Sequence, residues 1–205
     1  VTLAADGNSL VSGANRAGLE VSDGASVVID GKGSLTAKCF SEGFAYGAGI
    51  GGGYGGSGGI VKIAGGMVTA SCEGVGDYGS SYGAGIGGGS NGSGGSVEIT
   101  GGEVNASCDG ELQANGAGIG AGTYGSITST GRIILRDSAK VTAIGEDEGT
   151  GIGAGDDGHM AGLIIIQDNA QVTAIAGDRS AAIGSEDEDD MRGTILILGN
   201  ARITT

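Results

Sequence analysis

Apolar and polar residues alternate along this chain in short bursts separated by glycine. Four-residue runs such as Ile60-Val61-Lys62-Ile63 and Ser96-Val97-Glu98-Ile99 are followed by second runs, Val68-Thr69-Ala70-Ser71-Cys72 and Val104-Asn105-Ala106-Ser107-Cys108. Later copies are Ile133-Ile134-Leu135 with Val141-Thr142-Ala143, Leu163-Ile164-Ile165-Ile166 with Val172-Thr173-Ala174, and Ile195-Leu196-Ile197-Leu198. Alternation over four or five positions is a period of two, which predicts half-buried strands. The β-branched content agrees. No stretch carries a 3.6-residue period, and 49 scattered glycines oppose helix throughout.

A third element recurs between these pairs. It reads Gly47-Ala48-Gly49-Ile50-Gly51, Gly83-Ala84-Gly85-Ile86-Gly87 and Gly116-Ala117-Gly118-Ile119-Gly120, then decays to Gly149-Thr150-Gly151-Ile152-Gly153 and Ser180-Ala181-Ala182-Ile183-Gly184, with Arg16-Ala17-Gly18-Leu19 as a degraded first copy. Its apolar residue falls at 19, 50, 86, 119, 152 and 183, giving gaps of 31, 36, 33, 33 and 31. A unit of that length cannot bury an apolar face alone and must stack on its copies. The expected fold is all-β: a single-stranded parallel β-helix, right-handed by analogy with parallel crossovers, with 31–36 residues and three short strands per coil.

Three inward ladders follow. One is Leu3, Ile29, Ile63, Ile99, Leu135, Ile166 and Leu198; the second is Leu10, Leu35, Val68, Val104, Val141, Val172 and Ile203; the third is the Leu19, Ile50 and Ile86 series. Seven rungs at about 4.8 Å make a rod on the order of 30 Å long. Glycine serves the sharp corners, and Ser57-Gly58-Gly59 and Ser93-Gly94-Gly95 are turn chemistry ahead of the first strand. Residues 1–205 are expected to form one solenoid domain of a larger protein.

Composition narrows the partners. Two Phe, five Tyr and no Trp leave an aliphatic, thin core. A formal charge of −14 argues against nucleic acid, which needs a basic surface. No 18-residue apolar run exists, so no membrane-spanning helix is expected. Cys39, Cys72 and Cys108 each stand two residues after the Ala of the second strand and should form one stacked ladder of small core residues. In-register neighbours point the same way, which suits a disulfide poorly.

Residues 47–108 carry the sequence Gly-Ala-Gly-Ile-Gly-Gly-Gly, a Gly/Ser turn, then Val-x-Ile-x-Gly-Gly-x-Val-x-Ala. This resembles repeats in large surface proteins of gut Firmicutes and related bacteria, and weaker copies extend the likeness over about 19–205. The resemblance implies an extracellular or cell-surface, adhesin-like module, with a glycan or a host surface protein as partner. It carries no catalytic residues onto this chain.

Two places could hold chemistry. Glu146-Asp147-Glu148, Asp156-Asp157 and Glu186-Asp187-Glu188-Asp189-Asp190 hold 10 of the 24 acids. Asp156, Asp157, Glu186, Asp187 and Asp189 follow the third strand on adjacent coils, and clustered carboxylates suit Ca²⁺, which takes six to eight oxygens. A solvated charged edge is the alternative, and no spaced Asp-x-Asp-x-Asp-Gly loop decides between them. No other cofactor is indicated. The second place is aromatic. Tyr46 and Tyr82 each precede the glycine phrase by one residue, so they should stack on neighbouring coils, with Phe44, Tyr54 and Tyr78 nearby. Rings with polar tips can pack against a sugar, with Ser80, Ser81 and Asn91 supplying hydrogen bonds; a mere cover for the glycine corner is the alternative.

An enzyme on the same scaffold, a polysaccharide lyase or glycoside hydrolase, is the other class. Asp156-Asp157-Gly158-His159 is superficially similar to polygalacturonase motifs, but those belong on different coils, no matching Arg-x-Lys follows, and only Arg179 and Arg192 lie near. The sequence therefore favours a structural or binding module over a catalyst.

Overall fold

The computed structural model describes residues 1–186 and 191–205. Every paired strand is parallel, and the chain winds as a β-solenoid of about six turns with three stacked sheets and a short fourth. No helix occurs among the described residues, so none is long and apolar enough to cross a membrane.

The first sheet has seven strands: Thr2–Leu3, Ser26–Gly31, Ile60–Ile63, Ser96–Ile99, Arg132–Leu135, Leu163–Ile166 and Thr194–Ile197. The second also has seven: Asn8–Ser12, Ser34–Ser41, Met67–Gly74, Glu103–Gly110, Lys140–Gly145, Gln171–Ile175 and Arg202–Thr204. The third has six two-residue strands, Leu19–Glu20, Ile50–Gly51, Ile86–Gly87, Ile119–Gly120, Ile152–Gly153 and Ile183–Gly184. A sheet of three, Phe44–Ala45, Ser80–Ser81 and Gln113–Ala114, lies between the second and third. The sequence offers no sign of it, because its strands lack the apolar alternation that marked the others.

Registers in the middle coils match the expected ladders. Ile63, Ile99, Leu135 and Ile166 stand in one file, and Val68, Val104, Val141 and Val172 in another. Ile50, Ile86, Ile119 and Ile152 stack in the third and are all fully buried. Cys39, Cys72 and Cys108 pair in register, fully buried and unbridged.

The ends depart from expectation. Leu3 pairs with Gly31 rather than Ile29, and Leu10 with Ala37 rather than Leu35. Both are slips of two residues, which leave the same face turned inward, so side-chain type could not detect them. Leu198 is not the last rung. Ile197 pairs with Ile166, a shift of one that places Leu198 beyond the strand. Ile197 and Leu198 are both exposed.

Candidate functional site

The corner that carries the third sheet is built from backbone. Ala48 N–H donates to the Gly52 carbonyl at 2.9 Å, Ala84 to Gly88 at 2.9 Å and Ala117 to Ala121 at 3.1 Å, closing each corner on itself. In the next coil Thr150 replaces the Ala, and its hydroxyl donates to the Ala154 carbonyl at 2.7 Å. The glycine after each Ile holds a positive φ, 136° at Gly51, 135° at Gly87, 142° at Gly120 and 148° at Gly153. A methyl at any of these would overlap the backbone carbonyl of the next coil's glycine. Ala, Gly and Ile therefore recur because the coils meet backbone to backbone there.

Two columns of side chains flank this corner. One residue before each copy of the phrase stand Tyr46, Tyr82, Asn115, Glu148 and Arg179. After it come Tyr54, Ser90, Thr123 and Asp156, each four residues past the buried Ile. Backbone bonds tie the columns together: Tyr54 N–H donates to Asn15 O at 2.9 Å, Ser90 to Tyr46 at 2.8 Å, Thr123 to Tyr82 at 2.8 Å and Asp156 to Asn115 at 2.9 Å. The columns thus form one continuous face, aromatic over the earlier coils and acidic over the later ones.

On the aromatic part, Tyr46 and Tyr82 stack with centroids 5.4 Å apart and planes 16° from parallel. Tyr54 meets Tyr46 edge-on at 5.2 Å, and Phe44 lies 6.2 Å from Tyr46 and 6.3 Å from Tyr82. Tyr46 and Tyr82 are half-buried, while Phe44 and Tyr54 are exposed. Partial burial, with Tyr82 and Tyr54 beside it, raises the Tyr46 phenol above its ordinary value. Tyr78 is not part of the cluster; it projects from its own loop, 71% exposed. Ser80 and Ser81 also differ from expectation. Both are fully buried in the short extra sheet, and Ser81 Oγ is spent on the Asp109 carbonyl and the Gly74 amide. Asn91 is exposed, at φ 62°, beside Ser90.

The Tyr82 hydroxyl donates to Gln113 Oε1 at 3.3 Å, joining the aromatic part to the acidic one. There Asn115, only 5% exposed, places Nδ2 2.8 Å from Asp156 Oδ2 and 3.3 Å from Glu148 Oε2. Glu148 Oε1 accepts from Arg179 at 2.8 Å, and Asp147 Oδ2 accepts from the Ala114 amide at 2.8 Å. Carboxylate oxygens of Asp156, Asp157 and Glu186 lie within 4.8 Å of one another. Desolvation first, then the contact with Asp156, raises the Glu186 carboxyl above its ordinary value. Asp157 N–H donates to Glu186 Oε2 at 3.3 Å. Asp187 and Asp189, predicted for the same cluster, lie outside the described residues.

Sequence reasoning passed over Asn115 and named Glu148 only within the acidic run 146–148, without placing it in the site. Their signal was available: they occupy the position that made Tyr46 and Tyr82 conspicuous, one residue before the glycine phrase. The cysteines are structural. Cys39, Cys72 and Cys108 each set a thiol 3.4 Å from a carbonyl, of Ala14, Ala45 and Ser81. The Cys72 thiol first and then burial raise Cys39, and burial first and then the Cys108 thiol raise Cys72, both well above the ordinary thiol value.

No curated protein and no solved structure matches the chain. Residues 27–54, 61–90 and 93–123 match a family model described as beta helix repeat, and with the stacked parallel sheets this supports a parallel β-helix domain, a fold consistent with a structural or binding module.

Proposed function

We propose that this domain is a glycan-binding module of a secreted or cell-surface, adhesin-like protein, with the solenoid as a rigid support. The observation that carries this reading is the stacked pair Tyr46 and Tyr82, flanked by Tyr54 and Phe44 on an open face. Phe44 and Tyr54 are exposed beside the half-buried stack on a rigid scaffold, so they lose little entropy on contact and can take the C–H face of a pyranose, while phenol hydroxyls meet its polar rim. Two stacked coils present adjacent rings and so suit a chain of sugars over a single one. The charge of −14 favours a neutral glycan over a polyanionic one. Surface placement rests on the resemblance of the glycine repeats to those of bacterial surface proteins.

The test is retention of the purified domain in affinity electrophoresis through gels containing neutral polysaccharides. Wild type should be retarded by at least one of them, and the double variant Tyr46→Ala/Tyr82→Ala should run as in a blank gel with an unchanged circular dichroism spectrum. Equal migration of wild type in every gel would overturn the reading in favour of a passive scaffold. Release of reducing ends or unsaturated products from the same polysaccharides would overturn it in favour of an enzyme.

A further inference from the structure

The first sheet keeps one face outside the core, and the aromatic and acidic columns take no part in it. Its strands alternate: Val61, Ile63, Val97 and Ile99 are buried, while Ile60, Lys62 and Ala64 face outward and are exposed. The register fixes what stands in each outer file. One file reads Val28, Lys62, Glu98 and Ile134 over four successive coils. A second reads Asp30, Ala64, Thr100 and Arg136, aligned by bonds from Ala64 N–H to Ile29 O, Thr100 to Ile63 and Arg136 to Ile99. A third reads Ser26, Ile60, Ser96 and Arg132.

Charge sets this face apart. Glu98 pairs with Lys62 at 3.1 Å and with Arg136 at 2.9 Å. With Asp30 the two acids and two bases cancel, on a chain whose formal charge is −14. Val28 and Ile60 are exposed and Ile134 is half-buried beside them. Two copies of so acidic a chain repel over most approaches, but not over this one.

The order of the charges gives the approach a direction. A second copy turned end for end, about an axis parallel to the strands, presents the same files in reverse coil order. With that axis between the coils of Lys62 and Glu98, Lys62 faces Glu98 of the second copy. Asp30 then faces its Arg136, Val28 its Ile134, and Arg132 its Ser26. Every contact occurs twice, as an isologous interface requires. A turn about the rod axis would instead set Lys62 on Lys62 and Glu98 on Glu98.

We infer that the outer face of the first sheet is a self-association surface, on which a second copy packs antiparallel, sheet on sheet. Aligned sheets pack about 10 Å apart with their strands within about 30°. Four coils at about 4.8 Å, by about five residues at 3.3 Å, cover roughly 300 Å² of flat face per copy. A standard interface buries about 800 Å² per partner. The pair is therefore weak and reversible, directed by charge order more than by area, and salt loosens it.

Sedimentation equilibrium of the domain at low salt, over a dilution series reaching millimolar, tests this. The mean mass should climb toward twice that of the chain. Lys62→Glu and Glu98→Lys each set like charges face to face across the pair. Each alone should weaken pairing at least about tenfold, with a circular dichroism spectrum like that of wild type. Mixed in equal amounts the two variants should pair again, because every charge then meets its opposite. Tyr46→Ala/Tyr82→Ala should pair as wild type does, whatever its fate on glycans. A species of single-chain mass at every concentration would overturn the inference. So would a mass climbing beyond two copies, or a mixture no more associated than either variant alone. Should a charge variant fail to fold, Val28→Cys and Ile134→Cys take its place, the native thiols being buried. Under a short bis-maleimide they should cross-link to each other in preference to themselves, and no such preference would equally overturn the inference.

Discussion

Replacing Gly120 by Ala should be among the most damaging single-methyl changes in this protein. Gly120 holds φ 142°, a conformation L-residues seldom adopt. An added Cβ would overlap the Gly153 carbonyl oxygen and stand 2.8 Å from its carbon and 3.2 Å from the Gly153 nitrogen. All three atoms are backbone, held in the next coil, so no flexible side chain can yield. The strained backbone costs about 1–3 kcal/mol, and forcing a methyl into a filled space costs about 1–3 kcal/mol more. A loss of roughly 3–5 kcal/mol is expected, a large share of the usual 5–15 kcal/mol. Gly55 provides the control. It also has a positive φ, 68°, but nothing lies within 4 Å of its would-be Cβ. Asn91 at 62°, Tyr124 at 58° and Asp157 at 51° hold the corresponding turn position in later coils. Gly55→Asn should therefore cost less than about 1 kcal/mol. Urea unfolding of both variants, compared through midpoint and slope, measures the contrast. Gly120→Ala within about 1 kcal/mol of wild type would refute the backbone-contact account of the corner.

Ile86 is fully buried in the middle of the third ladder, so Ile86→Asp places an unpaired charge in a thin core and should lower the melting temperature drastically or prevent folding; an unchanged melt would show the register to be wrong. Cys39, Cys72 and Cys108 are fully buried, so none should react with a thiol reagent at neutral pH in the native protein, and all three should react once denaturant is added. Hydrogen bonds from Arg136 first, then from Lys62, hold the Glu98 carboxyl below its ordinary 4.5. Its folded pKa is therefore depressed: the stability it contributes is present above 4.5 and lost as pH falls through the folded value. Glu98→Gln should cost about 1 kcal/mol at neutral pH and nothing at strongly acid pH, read from denaturation midpoints.

The middle of the solenoid was legible because its signals repeat. Ile50, Ile86, Ile119 and Ile152 mark the same corner, and each copy confirms the alignment of the others. The strands of Leu3 and Leu10 pair on one side only in this structure. Leu3 and Leu10 could slip by two without changing face, and nothing in the sequence penalised that. Ser80 and Ser81 were misplaced for another reason. A hydroxyl in a turn ordinarily faces water, and only the short extra sheet, visible in three dimensions, buries them. The face itself was half legible: an aromatic file announces itself by rarity, whereas Asn115 is ordinary until its burial and its unpaired Oδ1 are known.

The parallel pairing has a mechanical consequence. Hydrogen bonds between coils point along the rod, so tension applied along that axis loads them end-on, one rung at a time. Strands pulled in shear share force among many bonds, but a terminal coil here peels alone. Each coil released would lengthen the chain by roughly 110–130 Å at full extension and surrender only about 4.8 Å of rod. The molecule should thus yield at low force in equal steps and shorten again coil by coil when the load is removed, a shock absorber graduated in units of one turn.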